Sequence, residues 1–180
     1  MTVARNILIF HAGALGDFVV TWPLALALAR LHPQSRLFYV TQKSKGALAE
    51  RVLRVESADA ESGWHPLFAA EAMLPDPQAK LLAGAHSVVS FVSGGDDAWA
   101  ANVRRLAPRA ELIPLAVRPP ADFQGHVTQH LLAQLSARPA AQEALAQVLR
   151  SVAARGVSGR APLSNGPVVV HPGSGARHKC

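Results

Sequence analysis

One acid stands where a backbone turn can aim it. Residues His11-Ala12-Gly13-Ala14-Leu15-Gly16-Asp17 separate a short apolar run, Asn6–Phe10, from a longer one that starts at Phe18. A strand that ends in such a loop places the carboxylate of Asp17 at the carboxyl edge of a sheet, where open α/β sheets take their ligands. The positive end of the following helix favours a negative group there. An ionised carboxylate in a cleft accepts a proton from a hydroxyl and serves as a general base. Gly13 and Gly16 allow the backbone to turn sharply and a substrate to come close. An aspartate at the start of a helix also serves as a plain cap, and the residue types leave both roles open.

A second group lies at the other end, in His171–Cys180, "HPGSGARHKC", after the apolar run "VVV". Its exposed backbone N–H groups, with Ser174, Arg177 and Lys179, suit a phosphate. The Walker spacing is absent, and a flexible basic end is the plainer reading. The first loop is not a dinucleotide fingerprint either. Gly-x-Gly-x-x-Gly would need glycine where His11 stands, and an acid about 20 residues on to hold a ribose. That region reads "VTQKSK". Asp17 would also oppose a pyrophosphate on the helix N-terminus. An NAD(P)-binding Rossmann domain is therefore the weaker alternative. His126 and His130 share one helical face, but no third ligand or His-Glu-x-x-His pattern accompanies them, so no metal is expected. Asp96 reads as a helix cap. Arg104, Arg105 and Arg109 read as solvated. Trp22 and Trp64 can stack on a sugar, with ordinary packing as the default.

These groups need elements to hold them. Asn6–Phe10 reads as a buried strand and Phe18–Leu31 as one helix, apolar nearly all round, with Pro23 tolerated near its start. Arg36–Thr41 reads as a second strand and Lys43–Leu53 as a second helix, which is βαβ rhythm and predicts a parallel sheet. A short strand and loop follow in Val55–Gly63, then a helix over Pro66–Met73 and a break at Pro75–Pro77. Ser87–Val92 reads as a strand, Asp96–Leu106 as a helix and Glu111–Val117 as a strand. Arg118–Pro120 is a loop. Helices follow at His126–Leu135 and from Pro139 to Gly156. The expected fold is α/β, a Rossmann-like parallel sheet with flanking helices. It divides into a domain over 1–156, a linker over 157–167, rich in Gly, Ser, Pro and Asn, and the opening strand and loop of an incomplete second domain over 168–180.

The 180 residues are 49% apolar and carry a formal charge of +6, with no run of five like charges. That composition is globular and does not resemble a nucleic-acid-binding tail. It suits anionic small molecules or anionic acceptors, and equally a solvated basic surface. The single cysteine, Cys180, forms no intramolecular disulfide, which fits a reducing compartment. Asp17 interrupts the apolar opening before it reaches the ~18 residues that a membrane span needs. A signal peptide does not usually carry a Gly-x-x-Gly-Asp turn before its apolar region, so the cytoplasm is the expected location.

Taken together, the two groups resemble glycosyltransferase family 9, the bacterial heptosyltransferases of lipopolysaccharide core synthesis. The family's first motif, G-x-L-G-D-x-x-x-T-x-P, is met at Gly13, Leu15, Gly16, Asp17, Thr21 and Pro23. "VVVHPGSGARHKC" resembles the strand and phosphate loop that open its second domain, and Gly125–Leu135 resembles a weaker helical segment before its linker. The middle, residues 43–117, matches only in rhythm. The resemblance implies a GT-B fold in which the N-terminal domain receives the acceptor and the C-terminal domain binds an ADP-sugar, without metal or other cofactor. It implies that Asp17 is the base of an inverting transfer, with Gly13, Gly16 and Thr21 in the acceptor loop. Ser174, Gly175 and Lys179 fall at the donor phosphates. The implied partners are an ADP-sugar and a lipopolysaccharide core or related glycan, and no nucleic acid; the implied place is the cytoplasm, at the inner face of the inner membrane through the acceptor. Members are roughly twice this length, two domains of ordinary size, so the chain alone is not expected to transfer sugar. The rival is a non-catalytic module, a truncated or degenerate relative that holds a nucleotide or glycan.

Overall fold

The computed structural model describes residues 5–157. Five strands form one sheet: β1 (Asn6–Phe10), β2 (Arg36–Thr41), β3 (Glu56–Asp59), β4 (Ala85–Ser90) and β5 (Glu111–Pro114). Their order is β3-β2-β1-β4-β5, and each neighbouring pair is parallel. This is the expected Rossmann-like α/β sheet. All five residues of β1 are buried, because β1 is central and covered on both faces. Such a strand reads as a continuous apolar run.

The two faces have separate cores. Ile7 and Ile9 point to one side, with Phe18, Leu24, Leu28 and the helices α2 (Trp22–Leu31), α6 (Val127–Gln134) and α7 (Pro139–Val157). Leu8 and Phe10 point to the other, with Trp64, Leu82, Trp99 and the helices α4 (Asp76–Ala83) and α5 (Ala98–Leu106). Helix α3 (Lys43–Leu53) joins β2 to β3 and adds Ala49 to the first core.

The apolar stretch after the glycine loop departs from expectation. It is two helices, α1 (Leu15–Val20) and α2, not one. Pro23 has no N–H, and its ring would collide with the carbonyl of Val19 in a continuous helix. The chain therefore closes α1 at Thr21 and starts again, with Pro23 in the first turn of α2. Thr21 is fully buried. Its hydroxyl donates to Phe18 O at 2.7 Å and lies 2.9 Å from the Tyr39 hydroxyl. Burial pushes the Tyr39 phenol well above its ordinary range, so it stays neutral.

Other bounds also shift. Pro77 suits the first turn of a helix, so "PDP" opens α4 instead of only breaking the chain. The segment read as a helix over Pro66–Met73 is a 3₁₀ turn, His65–Phe68. β4 runs two residues earlier than expected and stops at Ser90, whose hydroxyl accepts the N–H groups of Val92 and Ser93 and turns the chain. β5 ends at Pro114, which has no N–H to give; farther on, the backbone of Ala116 is bonded by the Gln134 side chain. The cap of α5 is Asp97, not Asp96. Arg105 is not merely solvated: it donates to Ala72 O at 2.7 Å. Among the described residues no helix is long and apolar enough to cross a membrane.

The bend at Thr21 sets the angle at which α1 leaves the sheet. Thr21→Val removes both hydroxyl contacts and strands the buried Tyr39 hydroxyl. We expect a loss of about 1–3 kcal/mol, read as a lower midpoint of urea unfolding. Adding Tyr39→Phe should recover part of it, and strict additivity of the two changes would show that the hydroxyls are not coupled.

Candidate active site

The chain leaves β1 at Phe10 but stays in the ladder for one more residue, since His11 N–H donates to Val40 O at 3.0 Å. Four residues later, at Leu15, α1 begins. Its N-cap is Ala14, which offers no side-chain bond, and Asp17 is the acid of the first turn. The capping position thus belongs to Ala14, and the Asp17 carboxylate is not spent on it. The side chain of Asp17 is 30% exposed, and its Oδ2 lies 3.3 Å from Nη2 of Arg118. Arg118 comes from the loop after β5 and is 84% exposed, so the pair is worth under about 1 kcal/mol and separates easily.

Beneath this loop lies His11, 1% exposed. Its ring packs against Phe18 and Phe91, with centroids 5.3 and 5.7 Å apart. Burial depresses its pKa to about 4, helped by the charge of Lys45 and partly offset by Asp17. The imidazole is therefore neutral near pH 7. Its Nδ1 is buried without a hydrogen-bond partner. From the far side Lys45, near the start of α3, donates to Gly13 O at 2.6 Å and ties the loop down.

The two glycines have different reasons. Neither has a positive φ, so neither is there for a left-handed turn, as a sharp glycine turn would suggest. A Cβ on Gly13 would lie 3.0 Å from Cε1 of His11 and 3.4 Å from Cβ of Asp17. Gly13 is the space that the imidazole needs. A Cβ on Gly16 would meet nothing within 4 Å. That surface is open, and the protein's own packing gives no reason for glycine. Thr21, also read as part of the acceptor loop, is enclosed and serves the bend. Ser174, Gly175 and Lys179 lie outside the described residues.

The neighbouring wall follows β4. The Ser93 hydroxyl donates to Asp97 Oδ1 at 2.7 Å, and the same oxygen accepts Ala100 N–H at 3.0 Å. The bond from Ala100, then that from Ser93, holds the Asp97 carboxyl below its ordinary range. Here the sheet changes hand: β1 leads into α1 and α2 on one face, and β4 leads into α5 on the other. Crevices of this kind hold ligands. One cavity of about 410 Å³ lies beside Phe91, Gly94, Pro114 and Gln134. Another of about 250 Å³ lies beside His11, Gln42, Trp64 and Trp99. Val92 lines both.

His11, Lys45 and Arg118 are site residues that sequence reading did not select. Lys45 is 32 residues from the carbonyl it binds and Arg118 is 101 from Asp17, and nothing local marks either. His11 had a signal: a polar residue closing an apolar strand, where a fingerprint would have glycine. His126 does not act with His130. It caps α6 through Thr128 N–H, while His130 packs on Phe123. Among the described residues no three His, Cys, Asp or Glu side chains form a metal-holding group.

No family model matches the chain, and no curated protein does. Solved structures do match in part. The glycosyl transferase family 9 structure from Veillonella parvula is 13% identical over 84% of this chain and 43% of its own, with a TM-score of 0.40. The E. coli heptosyltransferase WaaC with ADP-2-deoxy-2-fluoro heptose is 18% identical over 83% of this chain and 44% of its own, with a TM-score of 0.39. An FMN-dependent cysteine decarboxylase, SpaF, is 16% identical over 81% and 97%, with a TM-score of 0.38. The chain thus spans less than half the length of the two transferases. Likenesses this loose assign no activity, and the fold rests on the strand order and register above.

Two measurements follow from the geometry. With a folded pKa of about 4 against an ordinary 6.5, His11 takes a proton in the unfolded chain first. Its contribution to stability is present above about pH 6.5 and is lost as the pH falls toward 4. Unfolding of the protein and of His11→Phe, compared across that window, should show a shallower decline for the variant; equal slopes would mean the ring is not held neutral. Gly16→Ala should raise stability by up to about 1 kcal/mol, since alanine is the better helix former and meets open space. A lower thermal midpoint would show the space to be filled.

Proposed function

We propose that the chain is the acceptor-side part of an inverting, metal-independent glycosyltransferase of the family 9 kind. Its donor is an ADP-sugar and its acceptor a lipopolysaccharide core or related glycan, met at the inner face of the inner membrane. One observation carries this reading. The acid of the Gly-x-Leu-Gly-Asp motif stands at the carboxyl end of the central strand, at the switch point, free of any cap, and beside a glycine that opens outward.

In this reading the acceptor hydroxyl approaches over Gly16 and gives its proton to Asp17 as its oxygen attacks the anomeric carbon. The bond to ADP breaks on the opposite face, and the configuration inverts. Arg118 leaves the carboxylate when the acceptor enters. The N–H groups around Ser174 and Gly175, with the Lys179 ammonium, meet the charge that develops on the departing diphosphate. No cofactor enters.

The second reading is a non-catalytic module that binds a glycan or nucleotide, and the pairing of Asp17 with Arg118 favours it. An NAD(P) domain fits less well. β2 ends at Thr41 and is followed by Gln42, so no acid stands there for a ribose, and Asp17 occupies the first turn where a pyrophosphate would rest.

The test uses a protein that carries a complete second domain. Asp17→Asn should keep donor binding and lower turnover by ~10²–10⁴-fold, the usual worth of a general base. Lys179→Ala should weaken donor binding instead. A near-normal rate for Asp17→Asn would leave Asp17 as a first-turn acid and favour the binding module.

A further inference from the structure

The reaction above makes no use of the cavity of about 250 Å³ at the carboxyl ends of β1, β2 and β3. Its wall is aromatic. Phe10 meets Trp64 and Trp99 edge to face, with centroids 5.1 and 5.0 Å apart. Phe68 also lines it, and remains 58% exposed. The turn that bears Phe68 is held in place. Asn102, buried on α5, donates to Leu67 O and Ala69 O and accepts Ala72 N–H. The wall is formed before any ligand arrives, so little ordering cost remains to be met on binding.

The polar groups narrow the choice of occupant. Gln42, Glu61 and His65 line the cavity with exposed side chains, and among the described residues no lysine or arginine does. Phosphates would face the Glu61 carboxylate with no lysine or arginine among the described lining residues to hold them. An acyl chain would cover Gln42 and Glu61 without giving them a partner. A sugar ring without charge suits both features, with its C–H face on the aromatic side chains and its hydroxyls to Gln42 and Glu61. Trp64 is 3% exposed and its indole N–H has no partner; a ring hydroxyl supplies an acceptor after a small shift of the side chain. His11 connects this cavity to the candidate base: the residue is part of the cavity lining, and its imidazole lies against Gly13 in the loop of Asp17.

We infer that this cavity is a subsite for an uncharged pyranose unit, stacked on Phe68 and hydrogen-bonded by Gln42 and Glu61. That the unit belongs to the acceptor rests on the function proposed above; the site itself does not. The test follows the indole N–H signals of Trp64 and Trp99 by NMR in the 180-residue chain, titrated with methyl α-D-mannopyranoside and methyl α-D-glucopyranoside. Both signals should move and saturate with at least one of the two, while that of Trp22 stays. Phe68→Ala, at an exposed position that the fold does not need, should weaken binding roughly tenfold, the worth of one aromatic stacking contact. Glucose 6-phosphate should bind less well than methyl glucoside, and Glu61→Gln should narrow that difference. The inference is overturned if neither glycoside moves the two signals, if Phe68→Ala binds unchanged, or if glucose 6-phosphate binds as well as methyl glucoside. None of these readouts needs turnover. A fully active Asp17→Asn would remove the proposed reaction and leave the sugar site, and a silent titration would do the reverse.

Discussion

Every feature of the site depends on β1 being covered on both faces and paired on both edges. A strand in that position has no side available to a ligand. Only its carboxyl end is free, and the residues there inherit the rigidity of the sheet behind them. His11 is still in the ladder, and Asp17 lies in the first turn of α1, just past the glycine loop. The core and the candidate chemistry are therefore consecutive pieces of one chain, with no flexible connection between them. The bend at Thr21 completes the arrangement. By closing α1 after six residues, it lets α2 pack against α7 while α1 keeps its own direction from the sheet.

His11 ties two parts of the edge together. A charged imidazole would be costly where it is buried and close to Lys45, and burial keeps it neutral. As a neutral ring it packs with Phe18 and Phe91 and fills the space that Gly13 leaves. Lys45 restrains the same loop through a backbone carbonyl, while Arg118 meets Asp17 from solvent. One cation is thus structural and the other displaceable, and burial makes the difference: Lys45 is half-buried in its contact and Arg118 is exposed.

The carboxyl edge of the sheet also breaks rules that the rest of the domain keeps. His11 Nδ1, Thr41 Oγ1 and Trp64 Nε1 are buried without partners, although native proteins satisfy most such groups. Gly16 spends helix propensity without a packing reason. By contrast Asn102, deep under the 3₁₀ turn, is fully bonded. Local rules tend to fail where a site is built. The edge is not unique in this, since both ring nitrogens of His86, near the opposite end of β4, also lack partners.

The sequence by itself determined the elements whose signals are local. β1, β2 and α3 fall where their periodicity places them, because a buried strand and an amphipathic helix are written in consecutive residues. The parallel sheet followed from their alternation, and the place of Asp17 in the first turn of a helix followed from the glycine loop before it. Pro23 was visible but misplaced, since its tolerance depends on where the helix restarts, and the partner that fixes this restart, Tyr39, is 18 residues away. Asp97 holds the cap and Asp96 does not, because α5 starts at Ala98 and the Asp97 carboxylate accepts Ala100 N–H, with the Ser93 hydroxyl on the same oxygen. Only the tertiary structure decided the rest: that Gly13 makes room for an imidazole, that Lys45 and Arg118 reach the loop from 32 and 101 residues away, and that four aromatic side chains from β1, the 3₁₀ turn and α5 share one wall. Those facts come from which faces the sheet brings together, and distance through space at a sheet edge leaves no periodicity in the chain.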